Sequence, residues 1–305
     1  MQVDHRTLAD HKRKFRELFD ESDEAAEKIR HAVTDKNFRF IVNINDIRNK
    51  EPSWAANIIA NPREHLFALQ EAATEMAKSS EPMFDKLLKT NELQAGFEGS
   101  FGSNSVSPRG LASQLINNLV EVEGIVTKCS SVRPKLVKSV QYCENTNKYT
   151  TREYRDAYSM DIGMETRENQ ERMPTSTTFP SKDEDGNLLE VEFGLCQYKN
   201  HQRLVLQEMP EKARVGQLPR SVDIILEHDL VDHAKPGDRV LCVGVYRALP
   251  RLENGQTSGV FPTVLMCNNI SIIGSEVGGV TLTASDVGNI RCVLTVILDA
   301  MQHTC

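Results

Sequence analysis

Long hydrophobic runs are absent from this sequence, and their absence excludes a membrane-spanning helix. The chain has 305 residues, of which 26% are charged and 39% hydrophobic, and nowhere do about 18 apolar residues follow one another, as a span requires. The first residues also lack the apolar segment of a secretory signal peptide. We therefore expect a soluble intracellular protein that forms one or two domains with an ordinary hydrophobic core.

Closely spaced cysteines are also missing. The seven cysteines stand between 13 and 53 residues apart, whereas a structural zinc site normally takes pairs separated by two to four residues. The position three residues after Cys143, where a second ligand would stand, is Thr146. An odd number of widely spaced cysteines indicates free thiols in a reducing compartment, so we expect neither disulfides nor a zinc site.

The sequence carries none of the common catalytic motifs. A Walker loop needs a Gly-Lys pair that opens a helix around phosphates, and no Gly-Lys pair occurs in the chain. The HExxH and GxSxG motifs are absent as well. A calcium loop aligned on residues 181–192 has Ser181 in its first ligand position and Pro180 where a helix should enter, so a hairpin turn is the better interpretation. We therefore predict no catalytic residue and no bound metal.

Acidic residues outnumber basic ones, 43 to 36, and the net charge of −7 excludes a protein that is basic throughout. A nucleic-acid site would therefore have to be a local basic patch. The best candidate spans residues 128–138, which contain no acid and four cations, namely Lys128, Arg133, Lys135 and Lys138. Such a patch can hold phosphates through charge alone, although a solvated strand face explains it equally well.

A second candidate for contact with nucleic acid is a hairpin in residues 246–260. Its turn is marked by Asn254-Gly255, a strong signal for a tight β-hairpin, and Arg247 and Arg251 lie on the strand that leads into it. A projecting basic hairpin of this kind predicts contact with DNA. The plainer alternative is a pair of surface arginines with no specific role.

The apolar pattern divides the chain into a helical part and a strand-rich part. In the first hundred residues apolar side chains repeat at helical spacing, and Pro62 with Glu64 marks a helix start. Residues 38–47 alternate like a strand, and residues 96–110, which are rich in Gly, Ser and Pro, are typical of a linker between domains. The stripes predicted to be buried are Leu8, Phe15, Leu18 and Phe19 in one helix and Leu66, Leu69, Ala73 and Met76 in another.

From residue 111 onward the pattern changes to short strands. Period-two alternation occurs at residues 119–127, 221–226 and 239–246, and Gly244 inside the last segment indicates a bulge. Short twisted strands of this kind predict a small closed barrel such as an OB-fold. The fold class is therefore α+β. The predicted parts are a helical subdomain at 1–110, a barrel formed by 111–139 and 197–275, an insertion at 140–196, and a linker with a terminal tail at 276–305.

Residues 119–139, residues 207–239 and the hairpin region resemble the N-terminal half of minichromosome maintenance (MCM) proteins. The segments GFEGSFGSNSVSPRGL and LEVEFGLCQYKNHQRLVLQEMPEKA are more narrowly similar to the third-subunit branch of the eukaryotic MCM2–7 ring. The resemblance implies a helical subdomain followed by an OB-fold, with a small zinc-type subdomain inserted into the OB-fold. In the third-subunit branch that zinc site is expected to be degenerate, in agreement with the lone Cys143.

The resemblance also implies roles for particular residues. The stretch with Lys128, Arg133 and Lys135 corresponds to the side of the OB-fold that faces DNA, and Arg247 and Arg251 correspond to a hairpin that points into the ring channel. Residues 207–220 correspond to the allosteric communication loop, which relays contacts to the ATPase tier. The candidate residues of that loop are Gln207, Glu208, Gln217 and Arg220.

On function, the resemblance implies a nuclear subunit of a hetero-hexamer that is loaded around DNA during origin licensing and later unwinds it. The expected partners are DNA and other MCM subunits, with subunits five and seven as neighbours, and no membrane. ATP and magnesium belong to an AAA+ module that should follow residue 290 and is missing. This chain should therefore have no helicase or ATPase activity alone and no cofactor.

The end of the sequence departs from the family. Residues 280–291 still resemble the linker to the ATPase module, but residues 292–305 do not, which indicates a truncated gene model or a splice form. Two alternatives stay open: a free-standing OB-fold protein that binds single-stranded DNA, and a non-functional truncated gene model. The first is disfavoured by an aromatic content of only 6%, because single-strand binding relies on aromatic stacking.

Overall fold

The structure, a computed structural model, describes residues 5–21, 23–34, 38–80, 84, 93–153, 182, 187–213, 216–249, 252–253, 256–257 and 259–274. These residues form a helical unit followed by a β-barrel with an inserted sheet, which agrees with the α+β prediction. The helices are α1 His5–Glu21, α2 Asp23–Thr34, α3 Ile44–Lys50, α4 Pro52–Ala60 and α5 Pro62–Ser80. The strands are β1 Arg39–Asn43, β2 Gln94–Glu98, β3 Ser105–Val106, β4 Leu119–Cys129, β5 Arg133–Cys143, β6 Lys148–Glu153, β7 Glu190–Val191, β8 Gln197–Gln207, β9 Ser221–Glu227, β10 Arg239–Ala248, β11 Leu252–Glu253, β12 Gln256–Thr257 and β13 Thr263–Gly274.

An apolar core holds the helical unit together, with α1 packed against α5. Phe15 and Leu69 are fully buried, and the Phe15 ring lies against Trp54 with ring centroids 4.8 Å apart. Both predicted apolar stripes are confirmed, since every member is buried or partly buried in this core. Helix α5 begins at Pro62 with Glu64 in its first turn, as the sequence predicts. None of the described helices combines the length and the apolar character needed to cross a membrane.

The extended segment predicted at residues 38–47 is shorter than expected. Strand β1 stops at Asn43, whose side-chain oxygen accepts a hydrogen bond from the backbone N–H of Asn45 at 2.9 Å. This contact caps the N-terminus of α3, because asparagine supplies the acceptor that a helix start needs. The prediction is therefore wrong after residue 43, where the cap begins a helix.

The prediction of a linker at residues 96–110 is wrong for its first residues, because strand β2 extends to Glu98. Strand β2 pairs in parallel with β1, and Phe97 is fully buried. A Cβ on Gly96 would lie 3.2 Å from the backbone oxygen of Asn268 in β13. Glycine at this position therefore allows two backbones to approach closely. Phe97 N–H donates to Asn268 Oδ1 at 2.9 Å, and Asn269 Nδ2 donates to the Phe97 carbonyl at 3.1 Å.

Five strands close the barrel in the order β4–β10–β13–β9–β8, and β8 pairs back with β4. The pairs are antiparallel except for β13 and β9, which run in parallel. Alternate side chains of these strands fill the interior, among them the fully buried Leu204, Leu206, Ile224 and Leu265. A five-stranded barrel of this kind is the OB architecture that the strand pattern predicts.

The bulge predicted at Gly244 is confirmed. The register of β10 against β13 shifts between Val243 and Gly244, and a Cβ on Gly244 would overlap the carbonyl oxygen of Met266. A bulge bends its strand and increases the local twist. The glycine therefore lets β10 turn the corner of a narrow barrel.

Strand β5 carries the sheet beyond the barrel. The first half of β8 pairs with β5 and the second half pairs with β4, while β6 and β7 also pair with β5. The boundary predicted between residues 139 and 140 therefore falls inside a single strand. An isolated β-bridge joins Lys182 to Leu188, and both residues lie within the segment 181–192 that was aligned with a calcium loop. Residues 154–181 and 183–186 of the insertion, and the predicted tail at 292–305, lie outside the described residues.

Polar and apolar contacts join the helical unit to the barrel. Arg39 in β1 donates from Nε and Nη2 to the carboxylate of Asp229 at 2.5 and 2.7 Å, and from Nη1 to the Asn268 carbonyl at 2.5 Å. Two-pronged arginine–carboxylate pairs are strong and directional. Leu119 and Val245 of the barrel are buried in the core of the helical unit. Polar and apolar contacts therefore connect the two units.

Candidate nucleic-acid interface

OB-folds bind oligonucleotides on the face of their second and third strands and on the loops between strands one and two and between strands four and five. Here those strands are β8 and β9, and the loops are residues 130–196 and 249–262. The predicted DNA contacts lie on or beside these elements: Lys128 near the end of β4, Arg133 and Lys135 at the start of β5, and Arg247 near the end of β10. Arg251 lies outside the described residues.

Lys128 and Arg133 are exposed cations that form no ion pair within the described part of the chain. Lys128 lies opposite Val205 in the β4–β8 pair, and Arg133 lies opposite His201 in the β5–β8 pair. Both therefore flank the same edge of β8 and share its outer face. Their partners are four positions apart along β8, which corresponds to about 13 Å along the strand. Two unneutralised positive charges thus line one side of the barrel.

Lys135 has a different environment from these two residues. Its Nζ lies 4.0 Å from Glu227 Oε1, and its side chain is only 16% exposed. Lys199 Nζ donates to the other oxygen of the same carboxylate at 2.9 Å. His201 Nδ1 lies 3.6 Å from Oε1, which is too long for a hydrogen bond. The charge of Lys135 is therefore partly balanced inside the protein.

Glu227 is the centre of this charge cluster. Burial favours its neutral form, but His201, Lys199 and Lys135 outweigh that effect and lower the pKa of Glu227 to about 2. Because only Lys199 lies within hydrogen-bonding distance, we assign most of the stabilisation of the charged form to its ammonium. The carboxylate is ionised at neutral pH and offsets the cations around it.

A second charge pair on the same face connects β8 to β9. Arg203 Nη2 lies 2.6 Å from Asp223 Oδ2 across the two strands. Together with the Glu227 cluster, this pair gives the face a carboxylate for each of Arg203 and Lys199. These carboxylates therefore offset most of the positive charge on the face, and Lys128 and Arg133 at its edge are better placed to attract phosphate.

The predicted hairpin is present. Strands β11 and β12 pair with Leu252 opposite Thr257 and Glu253 opposite Gln256, which leaves the two turn positions that the Asn-Gly signal predicts. The turn residues lie outside the described residues. Arg247 is half-buried near the end of β10 and lies opposite Val264 of β13, so its stem is part of the barrel wall.

Residues 208–213 and 216–220 join β8 to β9, and we name them the β8–β9 connection. One of the predicted communication-loop residues, Gln207, is the last residue of β8 and lies opposite Ser221 of β9. Glu208 N–H donates to the Arg220 carbonyl at 2.9 Å. The Glu208 side chain is 3% exposed, so the acid that starts the connection is almost fully buried.

Arg109 is the partner that this buried acid requires, and the sequence analysis did not identify it. Its Nε lies 3.2 Å from Glu208 Oε2, its Nη1 donates to Gln217 Oε1 at 2.6 Å, and its Nη2 donates to the Leu218 carbonyl at 2.9 Å. Arg109 lies in the stretch predicted to be a linker. The signal that could have found it is Pro108-Arg109-Gly110, since Pro and Gly mark a tight turn.

That turn is well formed in the structure. Gly110 N–H donates to the Ser107 carbonyl at 2.8 Å, and Pro108 is buried. Arg109 therefore extends from a hydrogen-bonded turn.

The described part of the inserted region carries two cysteines, Cys143 and Cys196. Among the described residues no three His, Cys, Asp or Glu side chains converge to hold a metal. Cys143 is buried, and the Cys196 sulfur accepts a hydrogen bond from the Val140 N–H at 3.3 Å. Thr146 stands where a second ligand would be needed, and threonine is not a usual zinc ligand.

Comparison with known proteins identifies the two units. Residues 12–99 match the MCM N-terminal domain and residues 106–250 match the MCM OB domain. The chain is 44% identical over 294 residues to the protein named DNA replication licensing factor MCM3 of Oryza sativa subsp. indica, which covers 95% of the chain and 37% of that protein. It is 48% identical over 261 residues to DNA replication licensing factor Mcm3 of Drosophila melanogaster, with 85% and 30% covered. It is 47% identical over 264 residues to Maternal DNA replication licensing factor mcm3 of Xenopus laevis, with 87% and 31% covered.

The chain spans about a third of the length of these curated relatives. The first family match covers the helical unit from residue 12 onward, and the second covers β4 to β10 with the inserted sheet. The chain belongs to the MCM family, and the parts it carries are the N-terminal and OB domains of that family.

Proposed function

We propose that this chain is the N-terminal collar of an MCM replicative helicase subunit and binds DNA without sequence preference in the channel of a ring. The observation that carries the proposal is the exposed pair Lys128 and Arg133 beside an OB face on which Arg203 and Lys199 are paired with carboxylates. The names of its relatives, DNA replication licensing factors, support a role in origin licensing and the start of replication in the nucleus.

The mechanism of binding is electrostatic. Cations that contact phosphates release counterions, so affinity falls steeply with salt and carries no base readout. Two exposed cations on one subunit give weak binding. A closed ring brings the DNA-facing cations of several different subunits to one DNA, and the effective concentration of linked sites then raises the affinity.

The partners in this proposal are other MCM subunits in a hetero-hexamer, with subunits five and seven as neighbours. ATP and magnesium belong to an ATPase module outside these residues, and the β8–β9 connection relays contacts between that module and the collar. The 305-residue chain should therefore show no specific crosslinking to radiolabelled ATP. A specific crosslink would show that this division between collar and ATPase module is wrong.

The salt dependence of DNA binding tests the proposal. In an assembled ring, the double variant Lys128→Ala/Arg133→Ala should reduce the slope of log affinity against log salt by about 0.9 for each lost phosphate contact. Arg203→Ala is the matched control, because its guanidinium is already paired with Asp223. Fluorescence anisotropy of labelled duplex DNA measures both. An unchanged slope in the double variant would contradict the assignment of these two residues to DNA.

The hairpin is tested separately. The double variant Arg247→Ala/Arg251→Ala should also lower the salt slope within the assembled ring if the hairpin reaches DNA in the channel. An unchanged slope there, with a reduced slope for Lys128→Ala/Arg133→Ala, would confine DNA contact to the barrel edge.

Exposed aromatic rings favour a second candidate function, the binding of single-stranded DNA. Phe193, Tyr149 and Tyr198 are 74%, 62% and 44% exposed on the inserted sheet and the start of β8. Bases stack on such rings at about 1–3 kcal/mol each. The isolated chain would then bind an oligothymidine more tightly than a duplex, and Phe193→Ala/Tyr149→Ala would remove that preference. Equal affinity for the two DNAs would exclude this function.

A further inference from the structure

The two halves of the β8–β9 connection are held to the barrel in different ways. In the first half Met209 is buried, and surface ion pairs anchor Glu211 and Lys212. In the second half residues 216–220 are all exposed, and Leu218 is 90% exposed. Burial therefore does not hold the second half in place.

Arg109 supplies the contacts that the second half needs. Its Nη1 and Nη2 donate to Gln217 Oε1 and to the Leu218 carbonyl at 2.6 and 2.9 Å. Within the described part of the chain, these are the only hydrogen bonds of residues 216–219. The conformation of this half therefore depends on one side chain that comes from elsewhere in the sequence.

The same guanidinium also binds the beginning of the connection. Its Nε lies 3.2 Å from the buried carboxylate of Glu208, and the backbone of Glu208 is hydrogen-bonded to Arg220 at the far end. One planar group thus contacts the start of the connection and its second half. A lysine presents a single ammonium and lacks the fork that reaches three acceptors in one plane.

We propose that Arg109 is a positioning residue that holds the β8–β9 connection in the conformation from which it relays contacts between the collar and the ATPase module. This inference rests on the proposed function, because it takes that relay as the task of the connection. Arg109 acts through Glu208, Gln217 and Leu218. Its loss frees the second half while the barrel keeps its own strand pairing.

Native-state proteolysis of the 305-residue chain tests the positioning role. Trypsin cleaves after Lys212 and Arg220 faster when the connection opens, so the cleavage rate follows the population of the open form. Arg109→Ala should raise cleavage within residues 208–220 at least about tenfold, because hydrogen bonds to a charged group are lost. Arg203→Ala, which removes a barrel arginine outside the connection, should leave that rate unchanged.

Arg109→Lys keeps the test decisive if Arg109→Ala fails to fold. The lysine retains a positive charge beside Glu208 but loses the fork to Gln217 and Leu218, so the melting temperature should stay close to that of the original chain while cleavage still rises. Cleavage at the original rate in a folded variant would overturn the proposal, because the connection would then hold its conformation without Arg109.

The relay itself is tested in the assembled ring. With Arg109→Lys in the full-length subunit, DNA-stimulated ATP hydrolysis should fall at least about fivefold, the lower end of usual coupling between sites, while DNA affinity and its salt slope stay unchanged. Faster cleavage of the connection with unchanged hydrolysis would support the role of Arg109 and contradict the relay. A loss of DNA affinity together with hydrolysis would contradict a role confined to the connection.

Discussion

His65 in the helical unit and Glu227 in the barrel are both buried titratable side chains, and among the described residues only Glu227 has hydrogen-bonding or oppositely charged partners. His65 in α5 is fully buried, its ring nitrogens form no hydrogen bond with any described residue, and the centroids of its ring and the His11 ring are 4.1 Å apart. Burial, with smaller effects of His11 and Lys14, lowers the pKa of His65 to about 3. Glu227 in β9 is buried among cations that lower its pKa to about 2.

The two shifts have the same direction but opposite consequences for stability. Burial disfavours the charged form of both side chains. For His65 no group in the described part of the chain offsets that cost, so protonation becomes unfavourable in the folded state. For Glu227 the Lys199 ammonium more than offsets it, so the charged form is favoured in the folded state. Partners, and not burial alone, decide whether a buried titratable group stabilises the protein.

The largest expected effect concerns His65. An unfolded histidine takes up a proton below pH 6.5, whereas folded His65 does so only near pH 3. Stability should therefore fall as the pH drops through this window, by roughly 5 kcal/mol across all of it and about 2 kcal/mol by pH 5. His65→Leu removes this titration, so its free energy of unfolding should vary much less between pH 7 and pH 5 in urea titrations.

His11→Leu is the matched variant for this test. It removes the neighbouring ring but leaves His65 buried, and burial is the main cause of the lowered pKa of His65. Most of the pH dependence should therefore remain. If His65→Leu retains the full pH dependence of the original chain, acid sensitivity lies elsewhere and the comparison between the two units fails.

Glu227→Gln is expected to have the next largest effect. An unfolded glutamate ionises near pH 4.5 and folded Glu227 near pH 2, so its contribution is fully present above pH 4.5 and is lost as the pH falls towards 2. Glu227→Gln should cost about 3 kcal/mol at pH 7, and the difference from the original chain should shrink as the pH falls from 4.5. Urea titrations at pH 7, 4 and 3 measure it; a difference that is constant over these pH values would show that ionisation is not its cause.

The sequence predicts the elements of this fold better than it predicts their contacts. Helical stripes and period-two strands are local patterns, and each is decided by which face an element buries. Strand β2 was missed because glycine and serine suggest flexibility, whereas Gly96 is required by the approach of Asn268 from β13. That approach brings together residues far apart in the sequence, and no local pattern reports it.

The candidate site shows the same limit. Lys128, Arg133 and Lys135 form one basic cluster in the sequence, yet the fold places Glu227 beside Lys135 alone. Arg109 and Glu208 are separated by 99 residues and meet across the barrel end. Charges can be counted along a chain, but their pairing depends on strand register, which the sequence pattern does not give for this barrel.

A smaller effect separates Lys135 from Lys128. Lys135→Ala removes a cation from the Glu227 cluster and should lower stability by about 1 kcal/mol with little change in DNA affinity. Lys128→Ala removes an exposed cation without an ion pair in the described residues, so it should weaken DNA binding and leave stability unchanged within about 0.5 kcal/mol. Thermal unfolding and anisotropy on both variants check this. The reverse pattern would mean that Lys135 is the residue that faces DNA.

The smallest effect is expected for the pair Arg203 and Asp223, and it distinguishes burial from distance as the source of pair strength. This pair is shorter than the pair Lys199 and Glu227, at 2.6 Å against 2.9 Å, but its side chains are 57% and 36% exposed against 9% and 14%. Water screens the exposed pair, so a double-mutant cycle with alanine should give a coupling of about 0.5 kcal/mol or less. The same cycle on Lys199 and Glu227 should give a larger coupling, because a low dielectric strengthens the attraction between buried charges. If the shorter pair couples more strongly, distance and not burial governs charge pairing on this face, and the explanation given for the low pKa of Glu227 would have to change with it.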